Sequence, residues 1–169
     1  MAKPAPGTYP AYFERYIAQI PEDDLLTGFK NQEPLVEGFL TSISEEKSLY
    51  AYAEGKWTLK EVLQHLTDTE RIFGYRALCF ARGEKASLPS FDENDYAAHS
   101  FANNRSWQSL ADEFRSVRKA TVLLFESFDA AVMEQQGVAN NNPFSVLGIG
   151  YATIGHFLHH DKIVKERYL

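Results

Sequence analysis

His156 and His160 stand one helical turn apart, in a stretch where apolar residues otherwise recur every three or four positions. A four-residue offset sets two imidazoles on one helix face, where both can reach a single cation. Helix-borne zinc sites use the same offset. His65 lies among Val62, Leu66 and Thr69 at helical spacing and so faces the same interior. Three imidazoles from two helices would form a three-nitrogen site with its fourth position open, the arrangement of catalytic rather than structural zinc. The spacing by itself equally admits core histidines satisfied by hydrogen bonds. His159 shares a face with His156 at i,i+3, but it falls off the apolar stripe and is expected to point outward. His99, between Ala98 and Ser100 in a long connection, reads as a solvated loop residue.

Other chemistries lack their residues. Cys79 is the sole cysteine, so neither a disulfide framework nor a Cys-rich zinc module can form. It would lie roughly 21 Å beyond His65 along a helix axis, too far to share an ion, and reads as core. No Glu-x-x-His occurs, which leaves a di-metal carboxylate site unsupported. No His-Glu-x-x-His, Gly-x-Gly-x-x-Gly or P-loop occurs either. The acidic run Phe91 to Tyr96 lacks EF-hand spacing and reads as a solvated loop.

The elements that must position the histidines are four amphipathic segments. The first starts near Glu22 and carries Leu25, Phe29, Gln32, Val36, Phe39 and Ile43, with Pro34 inside it and a kink or broken turn expected there. The second runs from about Thr58 to Arg82, with Thr58 and Glu61 as a capping box and Gly83 as its stop. The third runs from about Ser106 to Phe128 and the fourth from about Ser145 to Tyr168, where His156 and His160 interrupt the stripe. Residues 1–21 read as a proline-rich arm followed by a short helix carrying Tyr12, Phe13, Tyr16, Ile17 and Ile20. No segment alternates with period two, so strands are not expected. Glu84 to Arg105 is long enough to cross the bundle, with a short helix over Phe91 to His99 capped by Ser90. Gly148, Gly150 and Gly155, inside the fourth helix, point to close packing or to room near a ligand. The expected fold is therefore all-α, a four-helix bundle filling residues 1–169 as one domain.

The formal net charge of -6 gives no electrostatic case for a nucleic-acid partner. No apolar run approaches the roughly 18 residues that span a bilayer, and Met1 to Gly7 lack the apolar core of a signal peptide. A cytoplasmic protein with no membrane partner is the expectation.

Gly55 to Leu66 with Asp68 to Phe73, and Gly155 to His160 with Glu166 to Leu169, resemble the DinB-like family of damage-inducible bacterial proteins. Pro89 to Glu93 and the Arg105 to Arg118 region resemble it too. The resemblance covers nearly the whole chain. It implies an up-down-down-up bundle with a long crossover between the second and third helices, in which Pro34 interrupts a first helix that is usually continuous. It further implies a divalent metal ion on His65, His156 and His160: zinc or nickel first, with iron or manganese as other candidates. Family members include thiol-dependent transferases and isomerases, and others have been viewed as metal-dependent hydrolases. The implied function is a metal-dependent enzyme, an S-transferase using a low-molecular-weight thiol or a hydrolase. The alternative is a non-catalytic, homodimeric metal-binding bundle. Asp68 and Glu70 are candidates to orient the ligands. Arg76 and Arg167, both on core stripes, could meet an anionic substrate or pair with a carboxylate at the bundle end.

Overall fold

The computed structural model describes residues 2–169. A single 3-10 turn over Ala11–Phe13 leads into α1 (Glu14–Ile17). The expected N-terminal helix is thus two short turns, and Tyr12 is exposed while Tyr16, Ile17 and Ile20 are buried. The first long helix, α2 (Leu25–Ser42), starts at Asp24, whose carboxylate accepts the Thr27 amide. It runs unbroken through Pro34. Pro34 sits on the exposed face, where water can satisfy the carbonyl left without its helical partner.

The second long helix, α3 (Leu59–Ala81), carries the expected capping box in full: Thr58 Oγ1 accepts the Glu61 amide, and the Glu61 carboxylate accepts the Thr58 amide. It stops at Gly83, which adopts φ +81°, a left-handed conformation open to glycine at no steric cost. The crossover contains α4 (Glu93–His99), capped by Asp92 rather than by Ser90. Asp92 lies immediately before the helix, where its carboxylate reaches the Asn94 and Asp95 amides. Then follow α5 (Trp107–Glu126), the single turn α6 (Ala130–Met133), strands β1 (Gln136–Ala139) and β2 (Asn142–Ser145), and α7 (Val146–Arg167).

The two strands correct the expectation of none. They pair antiparallel about Asn140 and Asn141, both at positive φ, the backbone that two-residue hairpin turns require and that asparagine tolerates. Each strand is only four residues long, too short for period-two alternation to register in the sequence. The hairpin is anchored by tertiary contacts. The Leu88 amide donates to the Val138 carbonyl and the Asn140 amide donates to the Leu88 carbonyl, so the crossover is tied to it. Gly137 lies so close to Phe80 that an added Cβ would stand 2.0 Å from the ring.

Around the bundle, α3 packs on α5 and α7, while α2 packs on α7 and α5. Two clusters form the core. One gathers Ile17, Leu25, Phe29, Phe73, Phe80, Phe125, Phe144 and Ile154; the other gathers Phe39, Leu63, Leu66, Trp107, Phe114, Phe157 and Tyr168. The N-terminal half of α7 is buried on every side, from Val146 to Phe157, because the arm covers the face that the long helices leave open. Its glycines serve this packing: a Cβ on Gly155 would stand 2.6 Å from the Tyr16 carbonyl oxygen. Arg167 departs from its expected core position. It is exposed at the bundle end against the Tyr52 ring, and Tyr168 is buried instead. Among the described residues no helix is long and apolar enough to cross a membrane.

Candidate metal centre

His65 and His156 stand where the two core clusters meet. Leu66 and Phe157 belong to one cluster, Phe73 and Ile154 to the other. Apolar packing therefore orients the two helices on either side of a polar gap. His65 from α3 and His156 and His160 from α7 point into it, each offering one ring nitrogen, and these nitrogens all lie within 4.8 Å of one another. The three ring centroids are 4.6 to 4.9 Å apart, and the Nε2 atoms of His65 and His156 are 3.0 Å apart. A tetrahedral ion with bonds of about 2.0–2.1 Å separates its ligand nitrogens by roughly 3.3 Å.

Electrostatics point the same way. Burial, and then the neighbouring imidazoles, push His65 down to about 4 and His160 down to about 3, with His156 well below its ordinary range. All three are neutral at pH 7, the state in which imidazole ligates. Two nitrogens this close need a proton or a cation between them, since facing lone pairs repel. The donor set thus fits a divalent ion.

The flanking candidates do not all take their expected places. Asp68 accepts from Gln64 Nε2, and Glu70 is bound by Arg118 through two nitrogens. Among the described residues neither carboxylate hydrogen-bonds a site histidine: Asp68, at i+3 from His65, is taken by Gln64, and Glu70, at i+5, is turned off the His65 face toward Arg118. His159 does not point outward: it is half-buried, with its ring 4.8 Å from that of Tyr16. The arm, absent from any helical-wheel argument, supplies that covering ring. Trp57, whose ring lies 4.8 Å from His65, and Phe73, 6.1 Å from His156, hold the imidazoles from the sides. Cys79 is half-buried against the core, and His99 is exposed at the end of α4.

A cavity of about 490 Å³ opens onto the histidines, a size that accepts a small molecule. Tyr12 and Tyr16 from the arm, Phe91 from the crossover, and Asn140, Asn142 and Phe144 from the hairpin line it together with α3 and α7. Tyr12 and Tyr16 were legible only as part of a short arm helix and Phe91 only as part of the crossover, and no local pattern placed any of these residues beside the histidines. They converge only when the chain folds.

The depressed histidines make the metal-free protein acid-sensitive in a definite window. The unfolded chain takes up protons at its histidines below pH 6.5, while the folded chain refuses them until about pH 4. Stability should therefore fall as pH drops from 6.5 toward 4, by up to about 1.4 kcal/mol per pH unit for each histidine kept neutral. Urea unfolding of metal-free protein at pH 7.5, 6, 5 and 4.5 checks this, and a flat profile would show that the rings are not desolvated.

No curated protein matches this chain. Among solved structures, it is similar to YfiT from Bacillus subtilis, described as "a probable metal-dependent hydrolase with an unusual four-helix bundle topology". The TM-score is 0.69 at 14% identity, covering 97% of this chain and 90% of that one. That likeness establishes the shared four-helix-bundle fold. The profile of the DinB superfamily matches residues 28–164, from early α2 to the last turns of α7, and the chain belongs to that superfamily.

Proposed function

We propose that this chain is a metal-dependent enzyme in which His65, His156 and His160 hold a divalent ion, zinc or nickel first, that activates a low-molecular-weight thiol for transfer to a carbon electrophile. The observation that carries the reading is the cavity opening directly onto three neutral, inward-facing imidazoles. An ion that only stapled helices would need no such access. When bound by these three neutral imidazoles, an ion would supply an uncompensated +2 charge, which would favour the thiolate over the thiol and lower the pKa of a water at the same place. Iron and manganese are the other candidates for this nitrogen-rich set.

Thiol transfer fits the surroundings better than hydrolysis. Hydrolysis at a three-imidazole ion can run on metal-generated hydroxide without a carboxylate base. A hydrolase that relied on such a base would lack it here, since Asp68 and Glu70 are engaged by Gln64 and Arg118. A thiol needs no base, because its proton leaves to solvent on binding. Sulfur then bonds to the electrophilic carbon and the leaving group departs with its electron pair. Trp57, Tyr16 and Phe73 give the histidines an aromatic wall on the cavity side. Hydrolysis is the second reading, favoured by the description of YfiT.

The whole chain acting as one domain, with the helices in up-down-down-up order and the crossover between α3 and α5, belongs to the same proposal. Support comes from Phe29–Phe125 and Glu37–Arg115, which run α2 and α5 antiparallel, and from Lys60–Arg105 at the start of α3 and α5 with Glu70–Arg118 further along both, which run those two parallel. Homodimer formation is proposed too, on the exposed Leu26 of α2 and Leu123 of α5, which border one groove.

Elemental analysis of the purified chain should find about one divalent ion per molecule. The metal-loaded protein, given cellular thiols and an activated aryl halide, should consume both only while the ion is bound. Turnover without added thiol would favour hydrolysis. An absence of bound ion, or turnover unchanged after chelation, overturns the proposal.

A further inference from the structure

Arg76 is the unexplained charge of this molecule. It lies on α3 three turns beyond His65, on nearly the same face, or about 16 Å along the axis. Only 7% of it is exposed, and it lines the cavity that opens onto the histidines. Its Nη2 donates to the Pro89 carbonyl at 2.7 Å, and no ion pair to it forms among the described residues. Burial alone displaces its pKa, downward, with no charged neighbour contributing. The contrast is Arg118, equally interior, whose guanidinium is matched by Glu70 through two nitrogens. A buried guanidinium offers five donors in a fork suited to a carboxylate, and leaving it without an anion is costly.

A second, independent observation lies between Arg76 and the histidines. Thr69, one turn beyond His65 and 3% exposed, lines the same cavity, and its Oγ1 has no hydrogen-bond partner. The other buried threonines of the two histidine-bearing helices behave differently. Thr67 donates to the Leu63 carbonyl and Thr153 to the Ile149 carbonyl. One face of α3 therefore presents, in order, an imidazole, a free hydroxyl, the Phe73 ring and an anion-seeking guanidinium. Glu93, at the exposed rim, is the opposing charge among the cavity-lining residues.

We propose that the cavity takes an elongated small-molecule carboxylic acid, its carboxylate held by Arg76, its polar middle met by Thr69 and its reactive end at the histidines. The inference deepens the proposed function and depends on it only for the reactive end. Arg76 would act as a specificity-determining residue: it selects acids over neutral analogues and sets how far the reacting atom lies from the carboxylate.

The probes are straight-chain ω-mercaptoalkanoic acids of graded length and the matching carboxamides. Binding to cobalt-loaded protein is followed by the thiolate-to-cobalt absorption band. At the best chain length the acid should bind about tenfold or more tightly than its amide. That preference should vanish in Arg76→Met and persist in part in Arg76→Lys, while Thr69→Val should weaken severalfold the binding of a mercapto acid with a mid-chain amide and leave the straight-chain acids unchanged. Binding of 2-mercaptoethanol, which cannot reach Arg76, should be unchanged in both Arg76 variants and reports that each is folded, and the straight-chain acids report the folding of Thr69→Val. Equal affinity for acid and amide at every length, or a preference surviving in Arg76→Met, overturns the proposal. If no thiol produces the band, the thiol reading fails. Calorimetry with octanoate on the metal-free protein then decides for Arg76: binding abolished by Arg76→Met upholds its role, and no binding to the parent protein overturns it.

Discussion

Replacing His156 with Ala should strip the protein of its divalent ion. Of the three ring donors His156 is the most deeply placed, 9% exposed. Its Nε2 is 3.0 Å from that of His65, and its ring lies 4.6 Å from that of His160. Without it, one nitrogen from each helix remains across a widened gap. Losing a group that merely supports a metal ligand typically lowers affinity 10–100-fold. Losing one of three direct ligands should exceed that range, so metal content after dialysis should drop from about one ion per chain to near zero. Competition with a coloured chelator would quantify the fall. The same substitution removes one of the desolvated imidazoles, so the acid-sensitivity of the metal-free protein should become shallower by up to one proton. Parental metal affinity in the variant would remove His156 from the site.

The second large effect concerns the frame behind the histidines. Arg118 of α5 donates from Nε to Glu70 Oε1 and from Nη2 to Glu70 Oε2, each at 2.8 Å, and Nη1 reaches Gln32 on α2. Gln32 Nε2 in turn donates to the Ile154 carbonyl on α7 at 2.8 Å. One guanidinium thus connects all four long helices, with the Phe29, Phe114 and Phe157 rings 5.3 to 5.6 Å from its carbon. Arg118→Met keeps most of the side-chain volume but leaves Glu70, 3% exposed, without its cation. Breaking a buried pair from one side typically costs about 3–5 kcal/mol, a large share of the roughly 5–15 kcal/mol that holds a domain folded. Urea denaturation should show that loss. Glu70→Met combined with Arg118→Met should recover much of it, since no orphaned charge then remains. A single variant as stable as the parent would mean that water already solvates Glu70.

The two tests separate chemistry from architecture. The first variant should keep its fold while losing the ion. The second should lose stability while keeping all three ring donors. Arg76 differs from both: it has no anionic partner to orphan, so Arg76→Met removes an unmatched buried charge and should hold or raise stability, leave the thiol site alone and change binding only of ligands carrying a carboxylate.

What the linear sequence determined is whatever depends on neighbours a few residues away. Helical periodicity is local, so the four long helices could be placed within a few residues of their ends, as could the Thr58–Glu61 box and the stop at Gly83. His156 and His160 were legible as a pair because both interrupt the apolar stripe of their helix, and His65 as inward-facing because it lies among Val62, Leu66 and Thr69. Spacing alone equally admitted core histidines, and the resemblance to the DinB-like family joined the three into one ligand set. The tertiary structure decided what depends on distant segments. The hairpin exists because Phe80 and the Leu88 backbone receive it, not because four-residue strands announce themselves. The helix passes Pro34 because that side of it meets water. His159 turned inward because Tyr16, far away in the chain, closes over α7. Whether Arg76 found a carboxylate or an open cavity was likewise beyond its own helix, since a buried charge is matched or left unmatched by whichever elements pack around it.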